Sequence, residues 1–106
     1  MSAHQEALYP LFLKLRGRRV LVVGGGRVAS SRLEGLLDAG ARVVVVAPAV
    51  REEVDHLPVK VERRPFQPAD LDGCWLVVAA ATPEVNRAVA AAAEERRVFV
   101  NAVDGP

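Results

Sequence analysis

Two apolar patterns alternate along this chain, and their alternation predicts the fold. Arg42-Val43-Val44-Val45-Val46 and Trp75-Leu76-Val77-Val78-Ala79-Ala80 are nearly unbroken apolar runs of strand length, as is Val20-Leu21-Val22-Val23. Runs of this kind mark strands covered on both faces. Val59-Lys60-Val61-Glu62 alternates apolar and polar, which suits a strand near a sheet edge, and Val98-Phe99-Val100 supplies a fifth strand. Between the runs, Leu33, Leu36 and Leu37 recur at helical spacing up to a stop at Gly40. A second helix begins at Thr82-Pro83-Glu84, with Thr82 as cap and Pro83 in the first position, and continues through the alanine-rich segment from Val85 to Glu95. Pro65-Phe66-Gln67-Pro68 breaks regular structure, and Asp70-Leu71-Asp72-Gly73 turns the chain.

Strands alternating with helices imply a mostly parallel sheet, because parallel neighbours need crossover connections. The expected architecture is α/β: a doubly wound parallel sheet of about five strands in the order 3-2-1-4-5. The join between the first strand and first helix carries the chemistry. Gly24-Gly25-Gly26 ends the strand and Arg27-Val28-Ala29 opens the helix, giving Gly24-x-Gly26-x-x-Ala29. This is the Rossmann dinucleotide fingerprint, in which the first glycine allows a tight turn and the second admits a diphosphate against the backbone. A small third residue lets helix and strand pack closely. The helix start adds unpaired N–H groups and partial positive charge, which favour an anion. Strand, turn, helix and strand fit within the roughly 30 residues of one βαβ unit.

One element of the fingerprint is absent. An acid at the end of the second strand would bond the ribose hydroxyls of NAD, but that strand runs out into Ala47-Pro48-Ala49. Glu52 and Glu53 come later, beginning or flanking a short helix, while Arg27 and Arg51 offer charge to a 2′-phosphate. On residues alone, NAD and NADP both remain open.

The order 3-2-1-4-5 reverses between strands 1 and 4, and a ligand crevice opens beyond the carboxyl ends of strands at such a point. The Gly24 to Val28 turn, the Ala81-Thr82 turn and the segment Asn101 to Asp104 should therefore share one edge. Thr82 can cap its helix and face a cofactor phosphate there. Asp104 is the carboxylate this geometry delivers, placed either as a proton acceptor or as part of an ordinary Asp-Gly-Pro turn.

Composition narrows the rest. At 106 residues the chain is expected to be one domain, and 14 Lys plus Arg against 13 Asp plus Glu give a net charge of +1. That balance provides no general attraction to nucleic acid or to a membrane surface. The apolar stretches fall short of the ~18 residues of a membrane span, so a cytoplasmic location is expected. Cys74, the single cysteine, has no partner for an internal disulfide and reads as a packing residue. His4 and His56 stand at no ligand spacing, and no metal site is expected.

In its motifs the chain resembles the NAD-binding domain of siroheme synthase and related precorrin-2 dehydrogenases. The likeness runs from Tyr9-Pro10-Leu11-Phe12-Leu13-Lys14-Leu15 through the glycine turn, Gly40-Ala41-Arg42-Val43, Leu71-Asp72-Gly73-Cys74-Trp75-Leu76-Val77 and Val85-Asn86 to Val100-Asn101-Ala102-Val103-Asp104. The resemblance implies oxidation of precorrin-2 to sirohydrochlorin with NAD+ as acceptor; some members also insert the metal. It places Asp104 on the family's catalytic aspartate. It places Arg27, Val28, Pro48 and Ala49, beside Gly24, Gly25 and Gly26, on cofactor-contacting positions, and it tilts the cofactor toward NAD.

Two departures stand out. Arg27 occupies a position where many members carry Asp or Glu. Members also continue past Asp104 into a dimerisation segment and a helical region, whereas this sequence stops at Pro106. A tetrapyrrole is too broad for one edge of so small a sheet, so three outcomes are expected to compete. Copies assemble around it as a homodimer, a partner chain completes the pocket, or the chain is a non-catalytic dinucleotide-binding or sensing module or an assembly subunit.

Overall fold

The computed structural model describes residues 6–102. Its strands are β1 (Arg19–Val23), β2 (Arg42–Val46), β3 (Lys60–Glu62), β4 (Leu76–Ala79) and β5 (Phe99–Ala102), and its helices are α1 (Arg27–Asp38) and α2 (Pro83–Arg96). Short 3-10 turns cover Glu52–His56 and Pro68–Leu71. All four strand pairings are parallel, in the order β3-β2-β1-β4-β5. The fold class and strand order expected from the hydrophobic pattern are those observed.

β1 is central because it has nothing polar to expose after Arg19. Val20, Leu21 and Val22 are fully buried and Val23 is 2% exposed. Its alternate residues feed two separate cores. Val20 and Val22 join Ala29 and Leu33 of α1, Val43 and Val45 of β2, and Val54 from the 3-10 turn after β2. Leu21 and Val23 join Val44 and Val46 of β2, Val77 and Ala79 of β4, and Val89, Ala92 and Ala93 of α2. A strand lined on both sides in this way cannot slip by one residue without exchanging its two cores.

Each helix ends through a left-handed residue. After α1, the Gly40 N–H donates to Leu37 O at 2.9 Å and the Ala41 N–H to Leu36 O at 3.1 Å, with Gly40 at φ +81. This is a Schellman closure with glycine in the left-handed position. α2 closes in the same way, Arg97 N–H to Glu94 O and Val98 N–H to Ala93 O, but its left-handed residue is Arg97 at φ +56.

Two boundaries differ from expectation. β5, expected over Val98-Phe99-Val100, starts at Phe99 and takes in Asn101 and Ala102, which pair with Val78 and Ala79. Residues 68–71, expected as irregular chain and turn, form a 3-10 turn. Its Asp70 carboxylate accepts the Gln67 N–H at 2.8 Å and receives Arg64 through Nη1 at 2.9 Å and Nη2 at 2.6 Å. Burial acts to raise the Asp70 carboxyl, and the Arg64 and Gln67 hydrogen bonds with the charges of Arg64 and Arg19 outweigh it, leaving the group below the usual carboxylate range. Among the described residues, no helix is long and apolar enough to cross a membrane.

Candidate functional site

Three chain segments meet beyond the carboxyl ends of β1, β2 and β4. The Gly24 N–H donates to Val46 O at 3.0 Å and the Ala80 N–H to Val23 O at 2.9 Å, so the exits of all three strands are tied together. The glycine turn fits between its neighbours only because it lacks side chains. A Cβ on Gly24, whose φ is +135, would lie 2.3 Å from Ala80 O; on Gly25 it would lie 2.0 Å from Ala49 O and 2.7 Å from Val50 Cα. The Arg51 N–H closes the second contact by donating to Gly25 O at 3.0 Å.

Gly26 is different. A Cβ there would meet no atom within 4 Å, and the residue is exposed. Gly26 caps α1 with extended backbone and without a side-chain hydrogen bond. The first bond of the helix runs from the Ser30 N–H to Gly26 O at 3.0 Å, so the N–H groups of Arg27, Val28 and Ala29 have no acceptor within the helix. Open space over a side-chain-free residue, beside three amides at the positive end of a helix, can cradle an anion such as a diphosphate. Arg27 and Val28 are exposed at this opening, as are Pro48 and Ala49 at the exit of β2.

The β4 side of the edge is held by a residue whose role the sequence pattern did not reveal. Asn86, one turn into α2, accepts the Ala81 N–H on Oδ1 at 2.9 Å and donates from Nδ2 to Ala81 O at 3.4 Å. It therefore pins the loop whose Ala80 carbonyl bounds Gly24. Its position one turn after the Thr82-Pro83 start was the available signal, since an Asn there can reach back to the preceding loop. Thr82 caps α2 as expected, its Oγ1 accepting the Val85 N–H at 3.2 Å, and it lies exposed at the same edge. Asn101 and Ala102 end β5 in register with Val78 and Ala79, so the carboxyl end of β5 lies at this edge. Asp104 lies outside the described residues.

Cys74 sits away from the edge, its Sγ 3.5 Å from Asp70 O, and burial pushes its thiol up with only partial relief from Arg19. That is the environment of a packing residue. A groove of about 890 Å³ also lies elsewhere, between residues 8–15, α1 and the β4–β5 face, and touches the edge only through Asn101.

The sequence model of the family described as putative NAD(P)-binding matches residues 11–106. Siroheme synthase of Chromobacterium violaceum is 50% identical over an alignment that covers 91% of this chain and 22% of that protein. Siroheme synthase of Pseudomonas fluorescens is 46% identical, covering 92% of this chain and again 22% of the relative. Among solved structures, SirC, a precorrin-2 dehydrogenase, superposes with a TM-score of 0.76 at 32% identity, over 88% of this chain and 48% of that one. The chain thus spans about a fifth of the length of the siroheme synthases it matches. The cofactor expectation agrees with the family description. By its sheet order, its glycine turn and a family match over nearly its whole length, the chain belongs to the putative NAD(P)-binding family.

Proposed function

We propose that this chain is the dinucleotide module of a cytoplasmic precorrin-2 dehydrogenase, an NAD-dependent oxidoreductase that forms sirohydrochlorin on the way to siroheme. The observation that carries the reading is the open Gly26 cradle at the sheet edge where β5 also ends. The likenesses to siroheme synthases and to a precorrin-2 dehydrogenase support the substrate. NAD+, when bound, supplies the two-electron acceptor.

The chain's own residues have separable tasks. The amides opening α1 hold the diphosphate, and Gly24 and Gly25 let the turn sit close enough to β2 and β4 to aim it. Val28, Pro48 and Ala49 line the cofactor's path, Asn86 keeps the Ala81-Thr82 loop in position, and Thr82 faces the cofactor from the β4 side. Asp104, two residues past the end of β5, would take the proton released from the atom next to the substrate carbon whose hydrogen leaves with both electrons, so that one hydride and one proton depart as the new double bond forms. A second copy of the chain or a partner chain completes a pocket wide enough for the tetrapyrrole.

Incubation with precorrin-2 and NAD+ should generate NADH, and Asp104→Asn should slow turnover by about 10²–10⁴-fold through loss of the base. An unchanged rate in Asp104→Asn would remove the proton-accepting role. Saturable NAD+ binding without NADH formation at any chain concentration would reduce the assignment to a cofactor-binding module.

A further inference from the structure

We infer that the dinucleotide site admits a 2′-phosphate as well as a free 2′-hydroxyl, with Arg27 as the residue that receives the phosphate, so that NADP+ binds this chain alongside NAD+. The inference rests on the dinucleotide reading above and adds its selectivity.

In a doubly wound sheet the adenosine ribose lies beyond the end of the second strand. Sites that insist on NAD place a carboxylate there, which accepts from the ribose hydroxyls and repels a phosphate. Here that stretch is Ala47-Pro48-Ala49-Val50, which contains nothing to repel an anion. The sequence offers two cations nearby, and the structure separates them. Arg51 Nε lies 2.5 Å from Glu53 Oε1, so its charge is already paired. Arg27 is exposed, and among the described residues it enters no ion pair and no side-chain hydrogen bond.

Position completes the argument. Gly25 touches Ala49 and Val50, and the Arg51 N–H bonds its carbonyl, so the glycine turn and the loop after β2 form one continuous wall. Arg27 stands two residues from that contact, at the first position of α1. The first turn of α1 contains no acidic residue, so Arg27 adds its charge to the positive end of the helix. A cation is electrostatically out of place there; the diphosphate offsets part of that penalty in either dinucleotide, and a 2′-phosphate adds a further anion that only NADP+ brings. An arginine fork matches phosphate oxygens in two parallel hydrogen bonds, an option a ribose hydroxyl does not offer.

Calorimetric titration of the full chain with NAD+, NADP+ and 2′,5′-ADP tests this. In the native chain the two dinucleotides should bind within about tenfold of each other. Arg27→Ala should weaken NADP+ and 2′,5′-ADP by about 10–100-fold, the usual worth of a charge-assisted hydrogen bond, and NAD+, which brings the diphosphate but no 2′-phosphate, by a clearly smaller factor. Arg27→Asp should widen the preference for NAD+ further. Thermal melting of the variants should be no lower than that of the native chain, because Arg27 is exposed and its charge opposes the positive end of α1. NAD+ binding with NADP+ excluded, or an equal loss of both in Arg27→Ala, would overturn the inference and leave the proposed function standing. Failure of every dinucleotide to bind would overturn both.

Discussion

Three adjacent glycines do three different things, and only part of this is legible in their spacing. The pattern Gly24-x-Gly26-x-x-Ala29 predicts a strand-to-helix turn, and Gly24 at φ +135 with α1 beginning at Arg27 bears that out, while Gly26 stands open. Gly25, a free position in the fingerprint, turns out to be the most crowded of the three. Its constraint comes from Ala49 and Val50, more than 20 residues away, and no local pattern reports a contact of that kind. The two substitutions should therefore separate fold from binding. Gly25→Ala should lose about 1–3 kcal/mol or more in urea unfolding, since its methyl group meets backbone that cannot rotate aside. Gly26→Ala should unfold within about 0.5 kcal/mol of native, while its new methyl group obstructs the cradle and weakens NAD+ binding at least tenfold in the same titration. The Asp70 carboxylate makes a second prediction at this scale. Its folded pKa is depressed, so its contribution is present above the ordinary carboxylate value of about 4 and fades as the pH falls through the lower folded value. Asp70→Asn should cost on the order of 1 kcal/mol at pH 7, and that deficit should shrink toward pH 3; a deficit that ignores pH would show that the charge contributes nothing.

Among the elements, the long buried runs were the most readable. β4, and β1 and β2 after their first arginine, are apolar because both faces are covered, and their identity survives any choice of boundary. Ends were harder. β5 reaches Ala102 because Asn101 and Ala102 find partners in β4, so pairing carries the strand past the apolar run that marks it in the sequence. The 3-10 turn at Pro68–Leu71 is held by Arg64 and by a carboxylate cap, neither of which stands out among two prolines in four residues. The stop of α1 at Gly40 was visible, whereas α2 ends on an arginine in the same conformation. A non-glycine residue in that region carries a steric penalty of about 1–2 kcal/mol. Arg97→Gly should recover part of it, raising the unfolding free energy by about 0.5–1 kcal/mol and the midpoint by a few degrees. A lower midpoint would mean that the Arg97 side chain makes a contact worth more than the strain.

For the molecule as a whole, one parallel sheet converts distance along the chain into proximity. Turns separated by more than 50 residues meet because β1 and β4 are neighbours and parallel, with their carboxyl ends on one side. That juxtaposition followed from the order 3-2-1-4-5, which the alternation of strands and helices already implied. Asn86 did not follow from it, because which side chain braces the edge depends on how α2 is set down, a matter of packing in three dimensions. The central claim is that the carboxyl edge at Gly26 holds the dinucleotide, and amide NMR during titration with NAD+ tests it most directly. The claim predicts saturable shifts at Gly24 to Val28, Ala47 to Val50 and Ala80 to Thr82, with Arg42 and Lys60 at the opposite edge unmoved. Saturable shifts confined to the opposite edge or to the groove beside residues 8–15, or none at millimolar NAD+, would contradict it.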